Sequence, residues 1–341
     1  MKPEISMTKT RHLGNRDVPP VGLGCMGMSE FYGKSDHLAS LETLHNAFEY
    51  GYRHFDTADM YGRGKNETLV GEFIQGLGEQ ERENLFISTK AGIVRDSTDQ
   101  FSVSVNTSYD YIMRCCEGSL NRLSVDYIDL FYLHRLSPDV PLEEPLRALD
   151  DLIKQGVVKN VGLCEVNSET IKAAHRILPI AAVQSEYSLW TRDVEMDVLN
   201  TCYDLNIAFV AFSPLGRGFL TGSIDKHTVA NDLNENDFRK RIPRFSDENI
   251  VKNKQTLQAL IDVSEELGKP PAQIALAWIL SKQKNIHVIP GTRRIHYMKQ
   301  NFDALSIALP SHITAKLDFI FLPENIYGER YPSAISRHTV E

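Results

Sequence analysis

The sequence has few cysteines and no long apolar run. Its five cysteines are scattered among 341 residues, odd in number, and without the paired spacing of a zinc site or a disulfide framework. This usage favours a reducing compartment. No apolar run approaches the roughly 20 residues that a membrane-spanning helix needs, and the first eleven residues lack the apolar core of a secretory signal. These absences predict a cytoplasmic protein without a metal ion and without a membrane partner.

The chain also lacks an excess of positive charge. It has 37 Lys and Arg against 45 Asp and Glu, which gives a formal net charge of −8. Such a balance favours solubility and gives no general attraction for nucleic acid or for an anionic membrane surface. With 42% hydrophobic and 24% charged residues, the composition is that of an ordinary globular protein. A site for an anionic ligand must therefore be a local cluster of basic residues.

Short runs rich in Val, Ile and Phe alternate with longer segments whose apolar residues recur every three or four positions. The first kind of segment predicts strands and the second predicts helices. Runs such as IDLFYL are apolar at nearly every residue, which indicates strands buried on both faces of a parallel sheet that helices cover. Eight strands are predicted in this way, at residues 21–25, 52–56, 85–90, 128–134, 157–163, 182–184, 208–212 and 286–290.

Eight strand–helix units without a linker rich in Pro, Gly or Ser fit one closed (β/α)8 TIM barrel, of the α/β class, better than two open sheets. We therefore expect a single domain over residues 1–341. Additional helices are expected between strands 7 and 8, at about 249–267 and 270–283, and at the C-terminus, where a tail of about 305–341 packs on the barrel or covers it. The stretch 216–250 has no periodicity and is a candidate functional loop, because loops of that length are otherwise uncommon.

Polar side chains follow three consecutive predicted strands. Asp56 ends strand 2, and Tyr61 follows it five residues later. Lys90 ends strand 3 and His134 ends strand 4. In a barrel of this type, active-site residues gather at the C-terminal ends of the strands. These four side chains are therefore expected to point toward the same mouth.

The four residue types suit proton transfer to a carbonyl oxygen without a metal ion. A Tyr phenol has a pKa near 10 and exchanges a proton poorly at neutral pH unless neighbours change that pKa. A nearby Lys ammonium favours the phenolate and lowers the pKa, a buried Asp keeps the Lys charged and in place, and a His orients the substrate oxygen. Taken singly, each residue is more often part of a structural ion pair or a satisfied polar group. Four of them at successive strand ends favour the catalytic interpretation.

Six segments together resemble the successive motifs of the aldo-keto reductase superfamily, in order and across almost the whole chain. They are FDTADMYGRGKNE, ISTKAG, DYIDLFYLHR, AAVQSEYSLW, AFSPLGRGFLTG and VIPGTRR. The chain is most similar to the microbial and plant branch of aldehyde and ketone reductases, which carries SEYSLW and SPLGRGFLTG. The resemblance implies a (β/α)8 barrel, a nicotinamide cofactor and reversible hydride transfer that reduces aldehydes and ketones to alcohols. It implies a catalytic tetrad of Asp56, Tyr61, Lys90 and His134, with Tyr61 as the general acid. Arg293 and Arg294 at a predicted helix start favour NADPH or NADP+ over NADH.

The resemblance also implies a cofactor site at the ends of strands 5 to 8. It assigns the nicotinamide amide to Cys164, Glu165 and Gln184, and stacking on the ring to Phe212, which without the motif would be a core aromatic. Small residues and backbone N–H groups after strand 7 would approach the pyrophosphate, at Ser213, Pro214, Leu215, Gly216 and Gly218. A helix N-terminus with two guanidinium groups would hold a 2′-phosphate close to the adenine, at Gly291, Thr292, Arg293, Arg294, Gln300 and Asn301. A solvated Arg pair is the alternative for the last motif.

Several positions depart from the family pattern. Cys164 and Glu165 stand where Ser and Asn are frequent, Gln300 stands where an acidic residue is common, and Tyr297 stands where some branches have an Arg. These departures bear on how the amide is anchored and on the choice between NADPH and NADH. A Rossmann domain is not expected, because GLGCMG near strand 1 is only a partial match to the GxGxxG turn.

Two other functions share parts of this pattern. A nicotinamide-sensing regulatory subunit of the same fold, with little or no turnover, would have the same tetrad. A metal-dependent barrel hydrolase would need clusters of His and Asp ligands, which the sequence lacks. The expected partner is a small-molecule carbonyl substrate, for which Trp190 is a candidate pocket residue and Arg95 and Arg135 are candidates for holding an anionic group. The natural substrate, the direction of the reaction and the oligomeric state stay open.

Overall fold

A closed barrel of parallel strands forms the centre of the computed structural model, which describes residues 10–95, 103–225, 227–235 and 237–332. Its eight strands pair in chain order. The first and last strands also meet, because the Gly22 N–H donates to the Val288 carbonyl (2.9 Å) and the Val288 N–H donates to the Pro20 carbonyl (2.8 Å). The predicted (β/α)8 barrel is thus confirmed. The strands are β1 (Leu23–Gly24), β2 (His54–Asp56), β3 (Phe86–Ala91), β4 (Leu130–Leu133), β5 (Val161–Cys164), β6 (Ala182–Glu186), β7 (Ala208–Phe212) and β8 (Ile286–Val288).

Amphipathic helices cover the barrel. The α-helices of the described residues are α1 (His37–Tyr50), α2 (Lys65–Gln75), α3 (Glu79–Glu83), α4 (Tyr109–Leu123), α5 (Glu143–Lys154), α6 (Ser168–Ile177), α7 (Val198–Asp204), α8 (Asp247–Lys252), α9 (Lys254–Leu267), α10 (Pro271–Lys282), α11 (Ile295–Asp303) and α12 (Ser311–Ile320). In α5, Leu146, Leu149 and Leu152 recur every three residues and are all buried, so this face packs inward. Because α8 to α10 lie between β7 and β8 and α12 follows α11, the additional helices are where the sequence predicts them.

Strand residues alternate between two apolar layers. Leu130 and Tyr132 of β4 belong to the cluster that fills the barrel, whereas Phe131 and Leu133 belong to the larger cluster beneath the helices. This alternation follows from the period of two in a strand. It explains why nearly every residue of the run IDLFYL is apolar, and it means that polar residues two apart on one strand point into the same side of the sheet.

Two hairpins lie outside the predicted pattern, because strands of three residues are too short to show a period. The first pairs Arg11–Leu13 with Arg16–Val18, and the last residue of each strand joins the apolar cluster of Phe86 at the start of β3. It therefore closes the N-terminal end of the barrel. The second pairs Ile93–Arg95 with Val103–Val105 directly after β3, at the opposite end, which is the mouth.

The described residues of the stretch 216–250 form short turns up to the start of α8. Buried Phe219, Phe238 and Phe245 anchor these turns, so apolar packing rather than a regular helix orders the segment. The helix predicted at 249–267 is two helices, since α8 ends at Lys252 and α9 begins at Lys254.

The described part of the C-terminal tail runs from α12 back to the barrel. Asn253 exchanges two hydrogen bonds with the backbone of Tyr327, each of 2.9 Å. Arg244 Nε donates to the Gly328 carbonyl (3.1 Å), and Arg330 pairs with Glu165 just after β5. Residues 333–341 of the predicted tail lie outside the described residues. Among the residues that are described, no helix has both the length and the apolar character needed to cross a membrane.

Candidate active site

The four residues predicted to carry the chemistry lie together at the ends of β2, β3 and β4. Lys90 Nζ donates to the Asp56 carboxylate and, over 3.4 Å, to the phenol oxygen of Tyr61. It also donates to the Thr57 carbonyl (2.8 Å). The His134 and Tyr61 rings meet edge to face, with their centroids 5.8 Å apart. All four side chains are buried, and the exposed fraction of Lys90 is 0%.

A tight turn after β2 presents Tyr61 to this cluster. Tyr61–Gly64 forms a 3₁₀ turn in which Gly62 has a left-handed backbone (φ 56°). The buried Asn66 holds the turn in place, because its Nδ2 donates to the Cys25 carbonyl (2.8 Å) and its Oδ1 accepts from Thr57 Oγ1 (2.6 Å). The loop that carries Tyr61 is therefore fixed to the ends of the first two strands.

The second carboxylate oxygen of Asp56 is held by residues outside the tetrad. Ser88 Oγ (2.8 Å) and Gln184 Nε2 (2.9 Å) both donate to Oδ2. His54 Nε2 lies 2.8 Å from Ser88 Oγ, and we assign its N–H as the donor because the Ser88 hydrogen goes to Asp56. Burial lowers the pKa of His54 to about 4, so the ring is neutral. The period of two along a strand is the sequence feature that could have identified Ser88, because Ser88 stands two positions before Lys90 and shares the inward face of β3.

Burial sets the protonation states of the tetrad. It raises the pKa of Tyr61 to about 12, because desolvation of the phenolate outweighs the opposing effect of the Lys90 charge. The lowering by Lys90 that the sequence predicts is present, but it is the smaller effect. Burial lowers the pKa of Lys90, yet the Asp56 carboxylate brings it above its usual value. Burial and the charges of Lys90 and Arg135 hold the pKa of His134 well below its usual value. At neutral pH the cluster holds a neutral phenol, an ammonium group and a neutral imidazole.

The residues assigned to the nicotinamide amide lie at the ends of β5 and β6. Cys164 ends β5 and is buried. Gln184 directs its amide N–H at the tetrad carboxylate. Glu165 has a left-handed backbone (φ 52°), accepts the Glu186 N–H (2.8 Å) and pairs with the Arg330 guanidinium. Because Gln184 and Glu165 have protein partners, contact with the amide stays a prediction for both.

Buried ion pairs connect these strand ends to the rest of the mouth. Arg217 Nη2 donates to Glu186 (3.0 Å), and Arg330 lies 3.8 Å from the same carboxylate. Burial raises the pKa of Glu186, but the positive neighbours bring it below its usual value. The Tyr331 ring lies 5.2 Å from the Arg217 guanidinium. The turn after β7 and the C-terminal tail are therefore attached to β6 through buried charges, a contact between distant segments that gives no local sequence signal.

The turn after β7 contains the small residues predicted to approach a pyrophosphate. Left-handed backbones occur there at Ser213 (φ 48°), Gly216 (φ 55°) and Gly218 (φ 98°). A Cβ at Gly216 would lie 2.9 Å from the Trp190 ring, which stacks on Phe219 with centroids 4.0 Å apart. Packing against Trp190 therefore requires a glycine at position 216, whether or not Gly216 also approaches a pyrophosphate. The Trp190 side chain is buried and packs on Phe219. The remaining predicted contacts of this group are Pro214 and Leu215 in the same turn and the half-buried Phe212 at the end of β7.

The segment after β8 forms an electropositive spot at the start of α11. Partial burial and the charges of Arg294 and Arg239 lower the pKa of Arg293. Arg239 pairs with the buried Asp237 (2.7 Å), so Arg293 and Arg294 are the guanidinium groups beside the helix N-terminus that fit a 2′-phosphate. Arg239 comes from the stretch 216–250 and is absent from the predicted set, because only the fold brings it here.

The other predicted contacts at this end have identified positions. Arg293 donates to the Tyr32 carbonyl (2.9 Å), and Thr292 Oγ1 accepts the Arg294 N–H (3.1 Å). Gly291 precedes the helix, and its Cβ position would lie 3.1 Å from the Gly24 carbonyl oxygen. The half-buried Gln300 and the buried Asn301 lie in the second half of α11.

The two arginines that are candidates for holding an anionic group of a substrate already have protein partners. Arg95 Nη1 lies 2.7 Å from both carboxylate oxygens of Glu30, so its charge is already neutralised. Arg135 Nη1 donates to the His134 carbonyl (2.6 Å). Within the described ranges, no group of three or more His, Cys, Asp or Glu side chains is arranged to hold a metal ion.

Comparison with known proteins identifies the family. The family model of the aldo/keto reductases matches residues 20–320. The chain belongs to the aldo/keto reductase family. It is 36% identical over 326 residues to aldo-keto reductase yakc [NADP(+)] of Schizosaccharomyces pombe, covering 95% of this chain and 94% of the relative. It is 40% identical over 294 residues to probable aldo-keto reductase 1 of Glycine max, covering 86% and 82%.

Solved structures agree with this assignment. The crystal structure of an aldo-keto reductase from Klebsiella pneumoniae in complex with NADPH has a TM-score of 0.72 and 26% identity, and the match covers 96% of each chain. The family and the barrel predicted from the motifs are thus confirmed for this aldo/keto reductase. The roles of its individual site residues stay predictions.

Proposed function

We propose that this aldo/keto reductase uses NADPH to reduce aldehydes and ketones to alcohols, with Tyr61 as the general acid. The observation that carries the proposal is the position of Lys90, which contacts both the Asp56 carboxylate and the Tyr61 phenol at the barrel mouth. A neutral phenol beside a fixed ammonium group can give up a proton to a developing alkoxide, because the ammonium stabilises the phenolate that remains.

Bound NADPH supplies a hydride for the carbonyl carbon. As the carbon accepts that hydride, the electron pair of the broken C=O π bond moves to oxygen, and the Tyr61 Oη–H gives its proton to that oxygen. Lys90 stabilises the resulting phenolate, and Asp56 keeps Lys90 charged and in place. His134 is neutral, so it offers one N–H donor to orient the carbonyl oxygen without adding a charge.

The relatives and the electropositive spot at α11 together support NADP(H). The Schizosaccharomyces pombe relative has NADP(+) in its name, and the Klebsiella pneumoniae structure is a complex with NADPH. Arg293 and Arg294, which the resemblance assigns to the 2′-phosphate that NADH lacks, lie just before α11. NADH is therefore expected to bind more weakly.

The test compares Tyr61→Phe with Tyr52→Phe. Tyr52 is also buried and donates its phenol hydrogen to the Met298 carbonyl (2.8 Å), so Tyr52→Phe controls for the loss of a buried hydroxyl away from the tetrad. We expect Tyr61→Phe to lose most of its turnover of 4-nitrobenzaldehyde, by a factor of about 100 or more, while its Kd for NADPH stays unchanged. Tyr52→Phe should keep kcat. If Tyr61→Phe turned over as fast as the wild type, the role of Tyr61 would be wrong.

A panel of aldehydes and ketones, assayed with NADPH and then with NADH, addresses the substrate class. NADPH binding without turnover of any carbonyl compound would favour the nicotinamide-sensing subunit over the enzyme. Turnover with NADH at equal kcat/KM would argue against the assignment of the 2′-phosphate.

A further inference from the structure

A cavity lies apart from the tetrad, between the turn after β2 and helix α4. Its volume is about 330 Å³, within the range of small-molecule sites. Three arginines are among the residues that line it. The full set is Asp59, Arg63, Gly64, Tyr111, Arg114, Cys115 and Arg122. None of these residues belongs to the proposed NADP(H) site or to the tetrad. The cavity therefore needs an explanation of its own.

The guanidinium of Arg122 is held in a fixed position in this cavity. Its Nε donates to Glu67 Oε2 (2.7 Å), and the Glu67 side chain is fully buried. A Cβ at Gly64 would lie 2.7 Å from Arg122 Cδ, and a Cβ at Gly118 would lie 2.9 Å from Nη1. Two glycines thus leave the space that the side chain occupies. The Glu67 carboxylate balances the Arg122 charge, so this side chain offers the cavity preorganised N–H donors rather than an unpaired charge.

A buried carboxyl oxygen in the same cavity has no hydrogen-bond partner among the described residues. It is Asp59 Oδ1, whereas the carboxyl group as a whole also interacts with the Cys115 thiol and the Met60 backbone N–H. Burial, and then the negative charge of Glu67, raise the pKa of Asp59 to about 7. A carboxyl group that keeps its proton has an O–H that can donate to an acceptor in the cavity. A buried polar atom without a partner is costly unless a ligand satisfies it.

We propose that this cavity binds a small metabolite through a phosphate or similar oxyanion, which Arg122, Arg114 and the Asp59 carboxyl group hold. Three arginines exclude a cation, and a lone oxyanion would leave much of the volume unfilled. The Asp59 O–H supplies a donor that a carboxylate would not. Anion binding is consequently coupled to protonation of Asp59. The site is independent of the proposed catalytic function.

Sulfate is the probe, because its charge is constant between pH 6 and pH 8. Isothermal titration of the full chain, with excess NADP+ present so that any dinucleotide phosphate site is filled, should show one saturable sulfate per chain. Arg114→Gln should weaken this binding about tenfold or more, since it removes a charged donor. Arg176→Gln, an exposed position on α6, should leave it unchanged. Absence of saturable binding, or equal binding by Arg114→Gln, would overturn the proposal.

The pH dependence separates this site from other anion sites. The ionisable groups that face Asp59 are Glu67, Cys115, Tyr111, Arg63, Arg114 and Arg122. Burial raises the pKa of Cys115 to about 12 and raises that of Tyr111, so neither loses a proton near neutrality. Sulfate affinity should fall as pH rises through about 7, approaching tenfold per pH unit, and Asp59→Asn should abolish this dependence. A dependence retained in Asp59→Asn would also overturn the proposal. If circular dichroism showed that Asp59→Asn is unfolded, the Arg114→Gln result would decide, because Arg114 is exposed.

Discussion

Replacing Ser88 with alanine tests whether the network beneath the tetrad positions Asp56. The change removes the Ser88 donor to Asp56 Oδ2 (2.8 Å) and leaves the His54 N–H without its acceptor. A hydrogen bond to a charged group is worth about 1.5–3 kcal/mol. Gln184 still donates to the same oxygen (2.9 Å) and Lys90 still holds the other, so the lower end of that range applies.

We expect kcat of Ser88→Ala to fall about tenfold, which corresponds to about 1.4 kcal/mol. The Kd for NADPH should not change, because Ser88 lies below the tetrad and outside the predicted cofactor contacts. The unsatisfied His54 N–H should lower the free energy of unfolding by about 1–3 kcal/mol. Steady-state reduction of 4-nitrobenzaldehyde, fluorescence titration with NADPH and urea unfolding measure the three quantities.

The adjacent residue supplies the matched control. Thr89 is buried on the same strand, and its Oγ1 donates to Glu67 Oε1 (2.6 Å) on the outer side of the barrel. Thr89→Val also removes a hydrogen bond to a carboxylate, so it should destabilise the protein by a similar amount and leave kcat near the wild-type value. If Ser88→Ala kept its kcat, or if the kcat of Thr89→Val fell as far as that of Ser88→Ala, the positioning role of Ser88 would be refuted.

Three further predictions follow from charge and burial. Because burial raises the pKa of Tyr61 to about 12, the phenol keeps its proton below that pH, so kcat/KM for carbonyl reduction should show no loss from Tyr61 between pH 6 and 9; loss of activity through Tyr61 ionisation near pH 7 would contradict this. Arg294→Gln should raise the Kd for NADPH about tenfold or more without changing that for NADH, by fluorescence titration; an equal change for both cofactors would remove the 2′-phosphate assignment. Arg217→Met should lower the free energy of unfolding in urea by about 3 kcal/mol, since it leaves the Glu186 carboxylate buried with Arg330 3.8 Å away; exposed Arg176→Met should change it by less than about 0.5 kcal/mol.

The barrel follows from the sequence because its strands are buried on both faces. A run such as 128–134 is apolar throughout, and the strand within it, Leu130–Leu133, has one side in the barrel and the other beneath the helices. The hairpin at Arg11–Leu13 and Arg16–Val18 does not follow, because a strand of three residues shows no period. Its place is set by contact with residues far along the chain.

The tetrad is predictable for a related reason, since each of its residues lies at the end of a strand or in the turn that follows it. The hydrogen-bond partners of Asp56 are less predictable from the sequence. Gln184 is 128 positions away and reaches Asp56 only because β6 and β2 face each other across the barrel. The net shift of the Tyr61 pKa is likewise not predictable from the sequence. The motif indicates that Lys90 lowers this pKa, but the larger raising effect comes from burial, which depends on how the residues at the barrel mouth pack.

Glu165 shows how one departure from the family pattern depends on another segment. Its carboxylate lies just after β5, where Asn is frequent in the family, and it pairs with Arg330 of the C-terminal tail. Glu186 lies 3.8 Å from the same guanidinium but is already bonded to Arg217. An uncharged Asn at position 165 would leave Arg330 buried without a close carboxylate of its own, at a cost of several kcal/mol. The acidic residue and the tail arginine therefore form one unit, so the tail at Arg330 helps to shape the nicotinamide end of the proposed site.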